Sequence, residues 1–330
     1  MKTKVKVLLV LENEPTSYAG IERHCLNIIN LYKNDPQIEI AYLCKENMKW
    51  HWNKWIGKVV FDYNQLKEKI IQSNCDIVHV HGFALMTAAQ SLRTALEVKK
   101  KIIYTAHYHP FSSLRHPIFG RIYFSFYIRP YLSQVDKIVA INKDDYVFFK
   151  RFNPNIELIP HWITGIPHGN IKRKPNMILF VGRNHSNKGI HYLNLLSSIQ
   201  KYDINCVTNN SKGISDNIKL HLSIDDIKLE KLYKQASLLV VPSKYEAFSY
   251  VALEALVHGT PILMSNNVRI ADHLNGIGGW DIFELNNTVD FISKIESTMD
   301  KKVDVDKVMR HFSIENIKPK YDNLYKSILK

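Results

Sequence analysis

One segment, residues 237–265, constrains the fold more than any other part of this 330-residue chain. It begins with an apolar, β-branched run at 237–241, which is typical of a buried parallel strand. Pro242 ends that strand in a turn, and apolar residues at near-helical spacing follow until Gly259 and Pro261 end the helix. A second apolar run then begins another strand. This strand–helix–strand pattern predicts a parallel sheet covered by helices.

Two carboxylates accompany this unit. Glu246 lies where the strand meets the helix, and Glu254 lies about two turns further along. In doubly wound sheets nucleotides bind beyond the carboxyl ends of the strands, and a carboxylate there can accept both hydroxyls of a ribose or hexose diol. Two solvated glutamates on an amphipathic helix are the alternative for this pair taken alone. We also expect the helix N-terminus to offer backbone N–H groups to phosphate oxygens, from Ala247, Phe248, Ser249 and Tyr250.

The whole string resembles the E-x7-E segment of the retaining, GT-B-fold glycosyltransferases of family 4. The residues that match in register are Pro242, Ser243, Glu246, Phe248, Glu254, Ala255, Gly259 and Pro261. Ala247 and Ser249 replace two glycines of the family pattern. The resemblance implies an α/β protein with two Rossmann-like, doubly wound parallel-sheet domains facing across a cleft that holds the donor. It also implies that Glu246 binds the sugar hydroxyls and that Glu254 binds the ribose.

A second motif follows the strand predicted at 177–181, where Gly182, Arg183, Lys188 and Gly189 precede a helix. Two cations five residues apart beside a helix start suit a diphosphate, whereas a basic surface loop is the alternative for this motif alone. The motif resembles G-R-x-x-x-x-K-G of the same family. That resemblance implies that Arg183 and Lys188 hold the β-phosphate and offset the charge of the leaving group. Neither a metal nor another cofactor is then expected.

Two further matches in the first half are weaker. Gly20 and Glu22 fit the glycine turn that the family places after its first strand, where backbone N–H groups approach the donor phosphate or the acceptor. Ala19 replaces the first glycine of that turn. The segment 159–162 stands where the family has I-P-N-G, departs from that pattern and is assigned no role.

The histidines form two His-x-His pairs, at 79–81 and 107–109. Such pairs suggest zinc, but no carboxylate or thiolate completes a ligand set, so the pairs are interpreted as ordinary loop polarity at strand ends. The segment before His107 resembles the family's strand that ends in a histidine near the donor sugar. We therefore predict that His107 hydrogen-bonds the sugar, with His81 and His109 as alternates.

Strand-like runs alternate with helical patterns along the chain, in two series separated by a polar stretch rich in Pro, Gly and Lys. We predict an acceptor-binding domain at 1–165, a linker at 166–176 and a nucleotide-sugar-binding domain at 177–302. A basic helical segment at 303–330 follows. In GT-B proteins such a final helix crosses back to the first domain.

Composition restricts the partners. The 44 Lys and Arg against 31 Asp and Glu give a net charge of +13, which favours anionic partners. No nucleic-acid-binding signature accompanies that charge, so no nucleic acid is expected. Four cysteines without metal spacing fit a reducing cytoplasm, and no apolar run approaches the ~20 residues of a membrane span. The short apolar run near the N-terminus is interpreted as the first strand rather than a signal peptide.

Two stretches combine aromatic rings with cations, at 49–55 and 115–131. Such a composition is typical of contact with an anionic membrane surface. The first stretch is polar apart from its three tryptophans, so we expect it to be exposed. For the second stretch, a partly buried aromatic helix is an equal alternative.

Together these features predict a cytoplasmic, metal-independent, retaining glycosyltransferase, peripheral on the inner face of the cytoplasmic membrane. It would move a sugar by front-face transfer from a nucleotide diphosphate sugar to a glycan or lipid-linked acceptor of bacterial lipopolysaccharide, O-antigen or capsule. A nucleotide-sugar epimerase of the same fold and a non-enzymatic binder of anionic glycans or nucleic acid are the alternatives. The sequence leaves the donor base, the sugar, the acceptor and the oligomeric state open.

Overall fold

The computed structural model describes residues 4–16, 19–55, 57–83, 85–107, 111, 117–164 and 172–330. The chain forms two compact units, one of Met1–Trp162 with Ile314–Lys330 and the other of Ile163–Ser313. Most of the predicted linker, at 166–171, lies outside the described residues.

In the N-terminal segment of the first unit, strands and helices alternate as the sequence pattern predicts. In chain order they are β1 (Val5–Val10), α1 (Gly20–Tyr32), β2 (Ile38–Leu43), β3 (Trp50–Asn53), β4 (Lys58–Phe61), α2 (Tyr63–Gln72), β5 (Ile77–His81), α3 (Met86–Glu97), β6 (Lys101–Thr105), α4 (Pro117–Tyr123), α5 (Arg129–Leu132), β7 (Lys137–Ala140), α6 (Lys143–Lys150) and β8 (Ile156–Leu158).

Six of these strands form one parallel sheet in the order β2-β1-β5-β6-β7-β8. Every residue of β5 is buried, because helices cover both faces of the sheet and leave no polar face. The two remaining strands, β3 and β4, form a separate antiparallel hairpin in which Trp50 pairs with Phe61 and Trp52 with Val59.

The second unit repeats the alternation. Its elements are β9 (Met177–Val181), α7 (His191–Ser197), β10 (Asp203–Thr208), β11 (Lys219–Leu222), α8 (Asp226–Gln235), β12 (Leu238–Val241), α9 (Tyr250–Val257), β13 (Ile262–Ser265), β14 (Trp280–Phe283), α10 (Thr288–Met299) and α11 (Val305–His311). The parallel sheet has the order β11-β10-β9-β12-β13-β14. The strand order reverses between β9 and β12, and in such sheets ligands bind outside the carboxyl ends of the strands at this switch point. The predicted class, two Rossmann-like parallel-sheet domains, is confirmed.

The single helical segment predicted at 303–330 is wrong in one respect, because it consists of two helices that belong to different units. The first, α11, is capped by Asp304, whose side chain accepts a hydrogen bond from the Lys307 backbone N–H at 3.0 Å. The second, α12 (Ile314–Ser327), buries Tyr321 and Tyr325 in the core of the first unit. The two helices bury their apolar residues in different units, and the chain leaves the helical path between them.

Candidate active site

Two loops meet at the switch point of the second sheet, one after β9 and one after β12. The Lys244 backbone N–H donates to the Asn187 carbonyl at 2.8 Å, and the Asn187 side-chain amide donates to the Tyr245 carbonyl at 3.1 Å. These bonds join the two motifs that the sequence marks as the donor site. The motifs are distant in the chain, and these bonds make them one surface at the carboxyl edge of the sheet.

Gly189 makes this approach possible. Its φ is +70°, a left-handed conformation that favours glycine. A Cβ at this position would lie 2.0 Å from the Pro242 carbonyl oxygen, a separation that no side chain allows. The glycine of the second motif thus lets the loop after β9 pack directly on the turn that ends β12.

Lys188 and Glu246 meet at this junction. The Lys188 ammonium donates to a Glu246 carboxylate oxygen, and the Ser243 hydroxyl donates to the same oxygen at 2.8 Å. The side chains are 26% and 18% exposed, so the pair is partly shielded from water while still reachable by a ligand. An ammonium and a carboxylate in contact can bind a diphosphate and a sugar diol next to each other.

The backbone of Glu246 is fixed from the other side. Its N–H donates to the Asn267 carbonyl at 3.1 Å, and its carbonyl accepts from the Arg269 N–H at 3.0 Å. A bridge between Glu246 and Val268 makes this segment a short extension of the sheet. The carboxylate is therefore presented from a fixed loop rather than from a helix.

Arg183 lies in the same loop as Lys188 and is exposed. The next residue, Asn184, anchors the loop, because its backbone N–H donates to Asn209 Oδ1 at 2.8 Å and its side chain donates to the Lys212 carbonyl at 2.7 Å. Before it, the Gly182 N–H donates to the Val207 carbonyl at 3.0 Å. Arg183 is thus a solvent-facing guanidinium on an anchored turn.

Helix α9 begins later than the sequence predicts. Ala247 and Phe248 lie before it, Ser249 is its N-cap, and the first helical residue is Tyr250. The predicted helix N-terminus at 247–250 is therefore wrong for Ala247 and Phe248, and Glu246 lies in a loop. The Phe248 ring is buried against the rings of neighbouring residues, which holds the backbone out of the helix.

Ser249 explains the late start. Its φ of 98° is in the region that favours glycine, and the family pattern has a glycine at this position. Its hydroxyl oxygen accepts a hydrogen bond from the Ala252 N–H at 3.4 Å, which partly compensates for the strained backbone.

Glu254 lies one turn into α9 and is partly buried. One of its carboxylate oxygens accepts a hydrogen bond from the Tyr233 hydroxyl of α8 at 2.8 Å. Tyr233 is itself buried and stacks on the His258 ring with centroids 5.6 Å apart. The second carboxylate is therefore held in one orientation by the neighbouring helix.

In the first unit, Gly20 begins α1 and has open space where a side chain would be. Neither packing nor a positive φ requires glycine there, so the predicted approach of a ligand to its backbone stays a prediction. Glu22, which follows it, accepts a hydrogen bond from the Asn13 side-chain amide at 2.6 Å.

The interpretation of the histidine pairs as loop polarity is wrong for the three described members, His79, His81 and His107. His79 and His81 are fully buried, and His107 is 6% exposed with a positive φ of 50°. The ring of His79 hydrogen-bonds Thr105 at 2.8 Å and Tyr325 at 3.1 Å. His109 lies outside the described residues.

Two more buried histidines join this group, and the sequence analysis assigned no role to either. His24 comes from α1, and His161 follows β8; their Nδ1 atoms lie 2.7 Å apart. The rings of His24, His81 and His107 form a triangle with centroids 5.2 to 5.6 Å apart. We call these three residues the histidine triad. Burial lowers the pKa of His24 and His81 well below the ordinary value and that of His79 to about 3, so these rings are neutral at pH 7.

The stretch at 49–55 is exposed, as predicted. Trp50, Trp52 and Trp55 are 46%, 56% and 98% exposed on the β3–β4 hairpin, where the sequence did not indicate strands. The described part of the second stretch is mixed, because Phe119 is 71% exposed whereas Phe124 is buried. Arg115 lies outside the described residues. The described helices do not combine the length and apolarity needed to cross a membrane.

Comparison with known families agrees with the geometry. The family described as "Glycosyl transferases group 1" matches residues 166–310, and that described as "Glycosyltransferase Family 4" matches residues 19–164. The chain belongs to the group 1 glycosyltransferases of family 4. A Klebsiella pneumoniae relative, an uncharacterized 41.2 kDa protein in the cps region, is 25% identical over 234 residues. That match covers 61% of this chain but only 64% of the relative.

Solved glycosyltransferase structures share the fold. Sucrose-phosphate synthase from Thermosynechococcus elongatus superposes with a TM-score of 0.77 at 14% identity, covering 99% of each chain. Anabaena HepE in complex with UDP and glucose gives 0.71 at 12% identity, covering 98% of this chain and all of that one. Identities this low show the fold alone, and they confirm the GT-B class for this family 4 chain.

Proposed function

We propose that the chain transfers a sugar, with retention of anomeric configuration, from a nucleotide diphosphate sugar to a growing cell-surface glycan. The observation that carries the proposal is the contact of Lys188 with Glu246 at the switch point of the second sheet. It joins a cation suited to a leaving diphosphate and a carboxylate suited to a sugar diol. The bond that breaks in a nucleotide sugar has the diphosphate on one side and the sugar on the other, so both groups are needed next to it.

Five of the predicted site residues have a task in this proposal. Lys188 and the exposed Arg183 bind the β-phosphate, and Glu246 accepts hydrogen bonds from sugar hydroxyls. Glu254, held by Tyr233, accepts the ribose hydroxyls. Tyr250 is the first residue of α9, so its backbone N–H lies at the positive end of the helix dipole, which suits a phosphate oxygen.

Transfer follows the front-face route. The bond between the anomeric carbon and the β-phosphate oxygen breaks while the acceptor oxygen bonds to the same face of that carbon, and the acceptor proton passes to the departing phosphate oxygen. Negative charge grows on the diphosphate during this step, so fixed cations lower the barrier most if they contact it there. Lys188 and Arg183 supply that charge, and the diphosphate then needs no bridging divalent cation.

The acceptor is proposed to be a glycan, lipid-linked at the inner face of the cytoplasmic membrane, where the chain would dock peripherally. The exposed tryptophans of the β3–β4 hairpin and the net charge of +13 support docking to an anionic surface. Lys58 of β4 lies 6.0 Å from the Tyr123 ring centroid, so the hairpin and the exposed aromatic helix α4 are neighbours. The similarity to a protein of a cps region supports a surface polysaccharide as the product.

Incubation with UDP-, GDP- and ADP-sugars, with and without membrane glycolipid extracts, tests the proposal. Release of nucleotide that depends on the extract, with a product of retained anomeric configuration by NMR, is the expected result. Epimerised sugar nucleotide formed without acceptor would instead identify an epimerase. Absence of turnover, together with glycan binding that falls steeply with salt, would identify a binding protein.

A further inference from the structure

We propose that the histidine triad binds a transition-metal ion of the zinc type inside the first unit. The site is separate from Lys188, Arg183, Glu246 and Glu254, which lie in the second unit, but it shares His107 with the sugar contact predicted from the sequence. It departs from the sequence-based expectation that the chain has no metal, which interpreted the His-x-His pairs as loop polarity rather than zinc ligands.

The geometry of the triad matches metal ligation. One ring nitrogen from each of His24, His81 and His107 can be chosen so that all three lie within 4.8 Å of one another. Zinc–nitrogen bonds of about 2.0–2.1 Å at tetrahedral angles place ligand nitrogens roughly 3.3 Å apart and ring centres roughly 5 Å apart. The corresponding values here are 3.3 Å between His81 Nδ1 and His107 Nε2, and 5.2 to 5.6 Å between the ring centroids.

His81 is the residue that hydrogen bonds satisfy least. Its Nε2 is buried and has no hydrogen-bond partner among the described residues, and its Nδ1 lies 3.3 Å from His107 Nε2, the spacing of two metal-bound nitrogens. Buried rings with an unsatisfied nitrogen are rare in folded proteins, and a metal at Nδ1 would give this ring a partner that the described side chains do not supply. His79, two residues earlier in the same strand, has partners for both ring nitrogens. His24 also has two, the Tyr321 hydroxyl at Nε2 and His161 at Nδ1, so a metal bound at His24 Nδ1 would replace the contact with His161.

The surroundings also suit a metal. Metal-bound histidines usually use their second nitrogen in a hydrogen bond that fixes the ring, and the Tyr321 hydroxyl lies 3.1 Å from His24 Nε2. His161, with its ring centroid 4.3 Å from that of His24 and 5.5 Å from that of His107, is a fourth imidazole next to the set. Ligands that are all imidazole favour Zn²⁺, Co²⁺, Ni²⁺ or Cu²⁺ over Mg²⁺ or Ca²⁺, which prefer oxygen.

Binding would connect three segments that are distant in sequence, namely α1, the end of β5 and the residue pair after β6. A metal that binds only the folded state stabilises it by mass action. The nitrogen of His107 that holds the metal is then not available for the sugar contact that the sequence predicts for it.

Cobalt titration tests the site. Protein purified without a polyhistidine tag and stripped by a chelator should bind about one equivalent of Co²⁺. The complex should show the intense visible bands of a tetrahedral site, and Zn²⁺ should abolish them. The melting temperature should rise with Zn²⁺ concentration. Neither readout depends on sugar transfer, so failure of this inference and failure of the proposed function are distinguishable.

Variants locate the ion. H81N and H107N should lose the cobalt bands, whereas H79N, buried in the same strand, and H51N, exposed on β3, should keep them. The wild-type titration decides even if the buried variants fail to fold. Wild-type protein that gives only the weak bands of octahedral cobalt, or a tetrahedral spectrum that survives in H81N, overturns the proposal.

Discussion

Lys188 and Glu246 form an ion pair that joins the turn after β9 to the turn after β12, although 57 residues separate them in the chain. The two opposite charges compensate each other. A diphosphate that binds Lys188 has to compete with the Glu246 carboxylate, and a sugar that binds Glu246 has to compete with the ammonium. Binding of the diphosphate to Lys188 therefore weakens the ion pair and frees Glu246 for the sugar. Binding of the sugar to Glu246 likewise frees Lys188 for the diphosphate.

The first prediction concerns the cations. Lys188→Ala should lower turnover at least ~100-fold with the fold intact, because it removes a fixed charge from where leaving-group charge develops. Arg183→Ala should act in the same direction, and the double variant should be less than additive because both side chains serve one diphosphate. Steady-state kinetics without Mg²⁺ and Mn²⁺ measure this. The control is Lys201→Ala, an exposed ion-paired lysine of the same unit. Strict dependence of the wild type on either cation would contradict the prediction.

The second prediction follows from the ion pair. Glu246→Gln should release Lys188 and tighten UDP or GDP binding about 2- to 5-fold, the value of a pair worth up to ~1 kcal/mol. Turnover should fall at the same time, since an amide is a weaker acceptor for sugar hydroxyls than a carboxylate. Calorimetry with the free nucleotide and kinetics with the sugar nucleotide separate the two effects. If nucleotide affinity falls instead, Lys188 does not bind the diphosphate.

The third prediction concerns the ribose. Glu254→Gln should raise the KM for the donor by about 5- to 30-fold, from a loss of ~1–2 kcal/mol in a hydrogen bond to a charged group, with kcat largely kept. The matched control is Glu284→Gln, an exposed glutamate after β14. Equal nucleotide affinity of Glu254→Gln and wild type would remove the ribose assignment.

The fourth prediction concerns the membrane. The protein should sediment with phosphatidylglycerol vesicles at low salt, because each basic residue near an anionic surface contributes ~1 kcal/mol. Salt should weaken the binding, and joint replacement of Trp50, Trp52 and Trp55 by Ala should remove what salt leaves. Ile227→Ala, at an exposed apolar residue of the second unit, is the control. Protein that stays in the supernatant at low salt would refute peripheral docking.

The fifth prediction concerns Glu12, the second residue after β1. Burial raises the pKa of its carboxyl above 4.5, although Lys58 and Lys45 oppose the shift, and within the described part of the chain its Oε2 has no hydrogen-bond partner. Because the carboxyl pKa is higher in the folded state, the protonated form of Glu12 favours folding relative to the ionised form. This contribution to the free energy of unfolding is fully present below pH 4.5 and is lost as pH rises through the folded pKa. Glu12→Gln should therefore raise the free energy of unfolding at neutral pH, and the gain should shrink towards pH 4.5.

Urea denaturation across that pH range measures the effect. Glu39→Gln, at an exposed position of β2, is the control and should leave the profile unchanged. A Glu12→Gln protein that is less stable than wild type at neutral pH would show that attraction to the lysines outweighs the cost of burial.

The sequence by itself determined the two alternating series and the residues of the donor motifs, because strand and helix periodicity and turn residues are local properties. It located the turns after β9 and β12, although it placed the start of α9 too early, and Gly189 was recognised from its motif. It missed the β3–β4 hairpin, because β3 is a strand of only four residues that lies outside the buried sheets and is mostly exposed.

Only the tertiary structure decided the rest. The start of α9 depends on the packing of Phe248 and on the left-handed backbone of Ser249, neither of which follows from spacing. The histidine triad draws its members from α1, β5 and the end of β6, which meet because sheet order makes β5 and β6 neighbours and α1 covers them. A sequence pattern records what each segment prefers, whereas contacts between distant segments are set by how buried faces pack together.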